Sequence, residues 1–271
     1  MRRNIERCYN ILQYTMSVSL LIFSNSEYSY LWPIIEESIQ SLTDLNPIFI
    51  SDNTSKPKPE GFTQYIEYNS EDCYAKRWSN ILPQIETDYI IVVHDVCIIL
   101  NCISDTIKDA VELLEMNNID RLSLNIFSSN NQIVGKNQLA ICDLNAADIK
   151  AKTFVPFDNC PSIWKKSSYV KLWNLFGNET YRNCEMNPYL QGYCRNTLKC
   201  FGLQETNDKI YYCLKRPYYN FFKILHITIQ GEITYPVEVY GDMKDDFINI
   251  FEKHSLKNKI KINNSYGNLL T

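Results

Sequence analysis

No CxxC pair occurs in the sequence, and only three histidines stand beside its ten scattered cysteines. Structural zinc sites draw four thiolate or imidazole ligands at short spacings, and the sequence offers no such motif; the cysteines read as reduced thiols, which points to the cytoplasm. Nor is there an uninterrupted apolar run of about 18 residues, the length a membrane-spanning helix needs. The opening "MRRNIERCYNILQYTMSVSLLIFSN" places basic residues before an apolar run, as a signal peptide would. However, Glu6, Gln13 and Ser17 interrupt it and no small-residue cleavage site follows, so residues 1–15 read as an extension ahead of a core strand. Positive charge is also short: 27 Lys and Arg against 31 Asp and Glu leave a net charge of −4, which supplies no broad cationic face for nucleic acid. The cluster from Lys253 to Lys261 reads as a solvated helix and loop.

Three motifs are missing as well. No GxGxxG follows the first strand, no GxxxxGK[ST] is found, and no GxSxG elbow is present. Dinucleotide, P-loop and α/β-hydrolase readings therefore lose their support.

What is present is a chain of 271 residues, 45% of them hydrophobic, enough for a substantial core. Its first half alternates strand and helix signals. "SVSLLIF" (17–23) reads as a buried strand, and "PIIEESIQSL" (33–42) as a helix opened by Pro33 with Ile34, Ile35, Ile39 and Leu42 on one face. "PIFISDN" (47–53) and "TQYIEY" (63–68) read as strands, followed by a helix capped by Asp72 and carrying Trp78 inward, which Pro83 ends or kinks. "DYIIVVHDVCIIL" (88–100) reads as a fourth strand. A helix from Ser104 or Asp105 and a strand at 119–127 follow. This rhythm predicts an α/β fold with a mixed, mostly parallel central sheet and helices on both faces, and in such sheets ligands bind beyond the carboxyl ends of the strands. Ser24, Asn25, Asp52, Asn53, His94 and Asp95 lie at or near such ends. The second half reads as short strands and aromatic loops with helical segments near 167–176 and 183–195. One continuous domain is expected over 16–240, divided into halves at 127/128, with 241–271 as a peripheral tail.

The run at 88–100 poses a chemical question, because it carries His94 and Asp95 in its apolar middle. An unpaired buried carboxylate costs several kcal/mol, so Asp95 is paired, ligand-bound, or at a strand end.

Four blocks, "LLIFSNSEYSYLW", "CYAKRWSNILPQIETDYIIVVHDVCIIL", "CPSIWKKSSYVKLW" and "HITIQGEITYP", resemble in order those of a GT-A glycosyltransferase group found in polysaccharide and viral or bacterial glycan clusters, over roughly residues 17–236. In that group a W-S-x-x-L-x-x-I-x-T-x-Y pattern precedes a strand ending in an acidic motif, and an S-I-W-K block precedes a helix and a Glu. The resemblance implies a GT-A-like, Rossmann-like domain with a nucleotide-sugar-binding half (16–127) and an acceptor half (128–240). It also implies transfer of a sugar from a nucleoside-diphosphate sugar to a glycan or other hydroxyl acceptor, with inversion. Asp95 corresponds to the acid that holds a divalent Mn²⁺ or Mg²⁺ or the donor ribose and diphosphate, with His94 either a second metal ligand or turned to the opposite face. The family's Asp-x-Asp is here His94-Asp95-Val96-Cys97, and one carboxylate is thin for a hard cation. Ser24 and Asn25 are placed to present backbone groups to a uracil or thymine ring. Asp52 either accepts from base or ribose or closes an Asx turn, and Arg77 serves phosphate while Trp78 packs. Glu185 stands where the group has its base, with Glu179 and Asp158 competing. Trp164 and Tyr181 are candidate sugar platforms, and His226 either reaches the diphosphate or is a strand residue. Against this stands a GT-A-shaped glycan binder or scaffold without activity, motivated by the reduced acidic motif. Sugar-1-phosphate nucleotidyl transfer needs a glycine-rich first loop with a basic residue, and "FSNSEYSY" has neither.

Overall fold

A computed structural model describes residues 17–102, 104–127, 132–134, 139–145, 156–204, 222–226, 228–229, 232–236, 244–256 and 261–263. The 1–15 extension and much of the 241–271 tail lie outside them. The β strands are β1 (Val18–Phe23), β2 (Ile48–Asp52), β3 (Gln64–Tyr68), β4 (Tyr89–His94), β5 (Cys97–Cys102), β6 (Arg121–Phe127), β7 (Gln132–Val134), β8 (Ala140–Asp143), β9 (Ser162–Lys165), β10 (Cys200–Gln204), β11 (Phe222–His226), β12 (Thr228–Ile229), β13 (Glu232–Pro236) and β14 (Lys261–Asn263). The helices are α1 (Trp32–Ile39), α2 (Tyr74–Ile81), α3 (Ser104–Met116), α4 (Lys166–Leu175), α5 (Tyr181–Met186), α6 (Pro188–Thr197) and α7 (Lys244–Lys253).

Nine strands form the main sheet in the order β3-β2-β1-β4-β9-β6-β10-β8-β7. β3, β2, β1 and β4 are parallel neighbours, β9 runs against both β4 and β6, β10 is parallel to β6, and β8 runs against β10 and β7. All nine but β8 and β9 therefore point the same way, and the expected mixed, mostly parallel α/β sheet with helices on both faces is what forms. Alternation along β1 sends Leu20 and Ile22 to one face, with α1, α3 and α7, and Leu21 and Phe23 to the other, with α2, α4, α5 and α6. Every residue of β1, β2 and β4 is buried, as strands covered on both faces require.

Several expectations need correction. The run at 88–100 is two strands: the chain turns at Asp95 and Val96, and β5 leaves the main sheet to pair antiparallel with β11. Cys73, not Asp72, is the N-cap of α2. The helical segment at 183–195 is two helices, because Asn187 caps α6 through the amides of Tyr189 and Leu190 and Pro188 takes its first position. Phe251 and Leu256 of the α7 region enter the core, while Lys253 and His254 both reach Glu37 of α1 at 2.7 Å.

Candidate active site

β1 and β4 end in register at Phe23 and His94, and the first residue beyond each continues the ladder: Ser24 N donates to Ile50 O at 2.8 Å, and Asp95 N to Phe23 O at 2.9 Å. Backbone pairing therefore sets Ser24 and Asp95 side by side. The Asp95 carboxylate accepts from Ser24 Oγ at 2.7 Å, from Asn25 N at 3.0 Å and from the Val96 amide. Ser24 Oγ in turn accepts from Trp32 Nε1 at 2.7 Å, so the indole orients the hydroxyl toward the carboxylate. With Asp95 only 5% exposed, burial outweighs these bonds and raises its pKa to about 6.

This carboxylate lines a cavity of about 260 Å³ with Phe23, Ser24, Asn25, Tyr28, Tyr68, Tyr74, Arg77, His94, Val96 and Tyr181. The volume is just under the ~300–1,000 Å³ of most small-molecule sites, enough for part of a nucleotide donor. The Arg77 guanidinium stacks 4.5 Å from the Tyr68 ring centre and is held from behind, Nε on Asp72 O at 2.8 Å and one terminal nitrogen on Ser70 O at 2.7 Å. Tyr68 OH donates to Ser24 O at 2.8 Å.

The β1–α1 turn turns its amides inward to the protein's own acceptors. Asn25 N serves Asp95, Ser26 N and Oγ serve the two oxygens of Asp52 at 2.7 and 2.6 Å, and Glu27 N serves the Asn25 side chain at 2.9 Å. Ser24 N and O are taken by Ile50 and Tyr68. Ser24 and Asn25, expected to present backbone groups to a base, thus have their own N–H groups on protein acceptors. Asp52 ties this turn down and does not line the cavity.

On the opposite wall, His94 Nδ1 lies 3.1 Å from Asn159 O, a group that can only accept, so Nδ1 carries a proton. Its Nε2 meets Tyr74 OH at 2.8 Å. Asn159 also receives Tyr74 OH on Oδ1 at 3.3 Å, donates its amide N–H to Glu185 Oε1 at 2.8 Å, and donates Nδ2 to Tyr181 O at 3.2 Å. One loop asparagine thereby joins α2, the end of β4 and α5. Burial raises the pKa of Glu185, which does not itself line the cavity but follows Tyr181, which does, by four residues on the same helix.

The structure therefore brings Ser24, Asn25, Arg77, His94 and Asp95 to one cavity and leaves Asp52 and Glu185 just behind its walls. Asp158 pairs with Arg121, and Glu179 accepts from Asn187 Nδ2 at 2.6 Å, so both competitors of Glu185 are engaged elsewhere. Trp164, expected as a sugar platform, is 1% exposed and belongs to the core beside Trp78. The backbone of His226 pairs with Cys97, two residues beyond Asp95, while its side chain lies outside the described residues. Sequence reasoning missed Tyr28, Tyr68, Tyr74, Val96 and Asn159. The donor set does not fit a divalent cation: both His94 nitrogens are committed, Asp95 already accepts three hydrogen bonds, and no three His, Cys, Asp or Glu side chains converge among the described residues.

No helix among the described residues is long and apolar enough to cross a membrane. No family model matches the chain, and no curated protein matches it. Solved structures do. A cytidylyltransferase from Leptospira borgpetersenii is 13% identical over 73% of this chain and 80% of its own, with a TM-score of 0.43. TarS of S. aureus is 13% identical over 73% of this chain and 36% of its own, with a TM-score of 0.45. The 2-C-methyl-D-erythritol 4-phosphate cytidylyltransferase of Thermus thermophilus is 8% identical over 70% and 89%, with a TM-score of 0.43. Likenesses this distant assign no reaction.

Proposed function

We propose that the chain is a nucleotide-sugar-dependent glycosyltransferase whose donor binds at the carboxyl ends of β1 and β4. The observation that carries this reading is the cavity itself: a buried carboxylate and a backbone-anchored guanidinium share one aromatic-walled space at the strand ends where α/β sheets bind ligands. Tyr28 and Tyr68 offer faces to a base or ribose, Asp95 accepts a ribose or sugar hydroxyl, and Arg77 faces the diphosphate. In the transfer, an acceptor hydroxyl oxygen forms the new bond to the anomeric carbon, the bond from that carbon to the diphosphate breaks, and the diphosphate leaves with the electron pair. Glu185 takes the hydroxyl proton; its raised pKa brings it nearer the working range of a general base. Tyr181, one turn away and 45% exposed, gives the acceptor sugar a ring to stack on. Nucleotidyl transfer would need phosphates on the β1–α1 turn, whose amides at Asn25, Ser26 and Glu27 already serve protein acceptors.

The test is product analysis with UDP-, GDP-, CDP- and dTDP-sugars, followed by mass spectrometry. One donor should yield nucleoside diphosphate slowly with water and faster with a glycan acceptor, and Glu185→Gln should slow this by about 10²-fold. Pyrophosphate release from a nucleoside triphosphate and a sugar phosphate would replace this reaction with nucleotidyl transfer. Retention of an oligosaccharide with no binding of any nucleotide donor would favour the inactive glycan-binding scaffold.

A further inference from the structure

We infer that donor binding at this site does not depend on a divalent cation, and that the Arg77 guanidinium supplies the positive charge a metal would bring to the leaving diphosphate. The inference rests on the donor reading above. Breaking the bond between the anomeric carbon and the diphosphate leaves an electron pair, and hence added negative charge, on the departing phosphate oxygen. That charge needs a fixed positive partner in the cavity. The residues nearest the expected metal position are committed otherwise. His94 holds Asn159 O with one nitrogen and Tyr74 OH with the other, and it is tied through both to the 156–160 segment and α2. Asp95 directs its carboxylate at Ser24 Oγ and two amides, which leaves little of its lone-pair capacity for a cation that wants several oxygen ligands. Release of Ser24 Oγ from Asp95, or of His94 Nδ1 from Asn159 O, would leave a buried donor unpaired, at about 1–3 kcal/mol each.

Arg77 has the opposite disposition. Two backbone carbonyls, Ser70 O and Asp72 O, and the Tyr68 ring fix its plane, yet no carboxylate pairs with it among the described residues. Its second terminal nitrogen takes neither carbonyl, and the guanidinium, hydrogen-bonded beside the Tyr68 hydroxyl, lines the cavity where an anion can meet it. A guanidinium held this way is pre-organised for phosphate, because its rotamer freedom is lost on folding and not on binding.

Calorimetric titration of the full chain with the nucleotide panel, once in EDTA and once in Mn²⁺ or Mg²⁺, tests this. The expected result is one nucleoside diphosphate bound with the same affinity, within about threefold, in both buffers. Arg77→Met should weaken that binding tenfold or more and flatten its dependence on salt. Arg77→Lys, which retains charge without the fork or the stack, should fall between the two and shows whether loss in Arg77→Met reflects charge or a disturbed turn. Binding that appears only with the cation, or tightens tenfold with it, would overturn the inference while leaving the donor reading intact. No binding in either buffer would overturn both.

Discussion

Asp95→Asn is expected to lower turnover by about 10²-fold or more, equivalent to roughly 2.7 kcal/mol of transition-state stabilisation, while the folded protein stays as stable at neutral pH or becomes more so. The two halves of this expectation come from one fact. Burial raises the Asp95 carboxyl from 3.8 to about 6, against the lowering effect of Asn25, Ser24 and Val96. The folded state therefore holds this proton more tightly than the unfolded chain does. As pH rises from 3.8 to about 6, stability declines, and above that range the ionised carboxylate costs on the order of 3 kcal/mol. An amide never ionises, so the variant escapes the cost, less what its NH₂ loses facing the Val96 amide. Wild-type and variant melting curves should diverge across that window and run parallel above it. A group retained at such a cost beside a cavity is better explained by a ligand than by the fold. A variant that melts several degrees lower at pH 7 but keeps its turnover per folded molecule would make Asp95 a structural partner.

The second large effect is expected at Arg121, far from solvent at 0% exposure. Its guanidinium pairs with Asp158, donates to Pro156 O at 2.6 Å, and lies 5.3 and 5.8 Å from the rings of Trp164 and Phe157. Arg121→Met keeps the bulk and removes the charge, leaving Asp158 and a loop carbonyl without their partner. Loss of one member of a buried pair costs about 3–5 kcal/mol, which for a chain of this size is on the order of 10 °C in Tm. The segment so released carries Asn159, so turnover should fall beyond what the lost stability explains. Adding Asp158→Asn removes the stranded charge and should recover part of the Tm, measurable by calorimetry as a double-mutant cycle. An unchanged Tm in Arg121→Met would contradict the packing described here.

The elements that could be read from the sequence are those whose signal is local. β1, β2 and α1 are marked by apolar runs, by the spacing of Ile34, Ile35 and Ile39, and by Pro33; β1 and β2 lie within a residue of their expected limits, while α1 starts one residue earlier and ends three earlier. The strand at 88–100 was misread because its two halves are equally apolar. What separates them is non-local: β4 pairs with β1 and β9, whereas β5 finds β11 more than a hundred residues later. That Ser24 and Asp95 lie near strand ends is legible in the sequence, whereas their side-by-side position follows from the pairing of β1 with β4. The rest of the site is not legible there. Tyr28, Tyr68 and Tyr74 are three of 19 tyrosines, with no spacing that marks them, and they converge only because β1 and β3 end, and α2 begins, beside one cavity. Asn159 sits in a loop with no periodic signal, and its importance lies in five partners drawn from three elements.

The central claim, that a nucleotide donor occupies the cavity at the ends of β1 and β4, is tested most directly by covalent mapping with a photoreactive nucleoside-diphosphate sugar. Protein illuminated with the analogue and digested should carry the label on peptides containing Tyr28, Tyr68 or Arg77, and excess unmodified nucleotide should abolish it. Competable labelling confined to other surfaces, such as α6 or α7, would contradict the account.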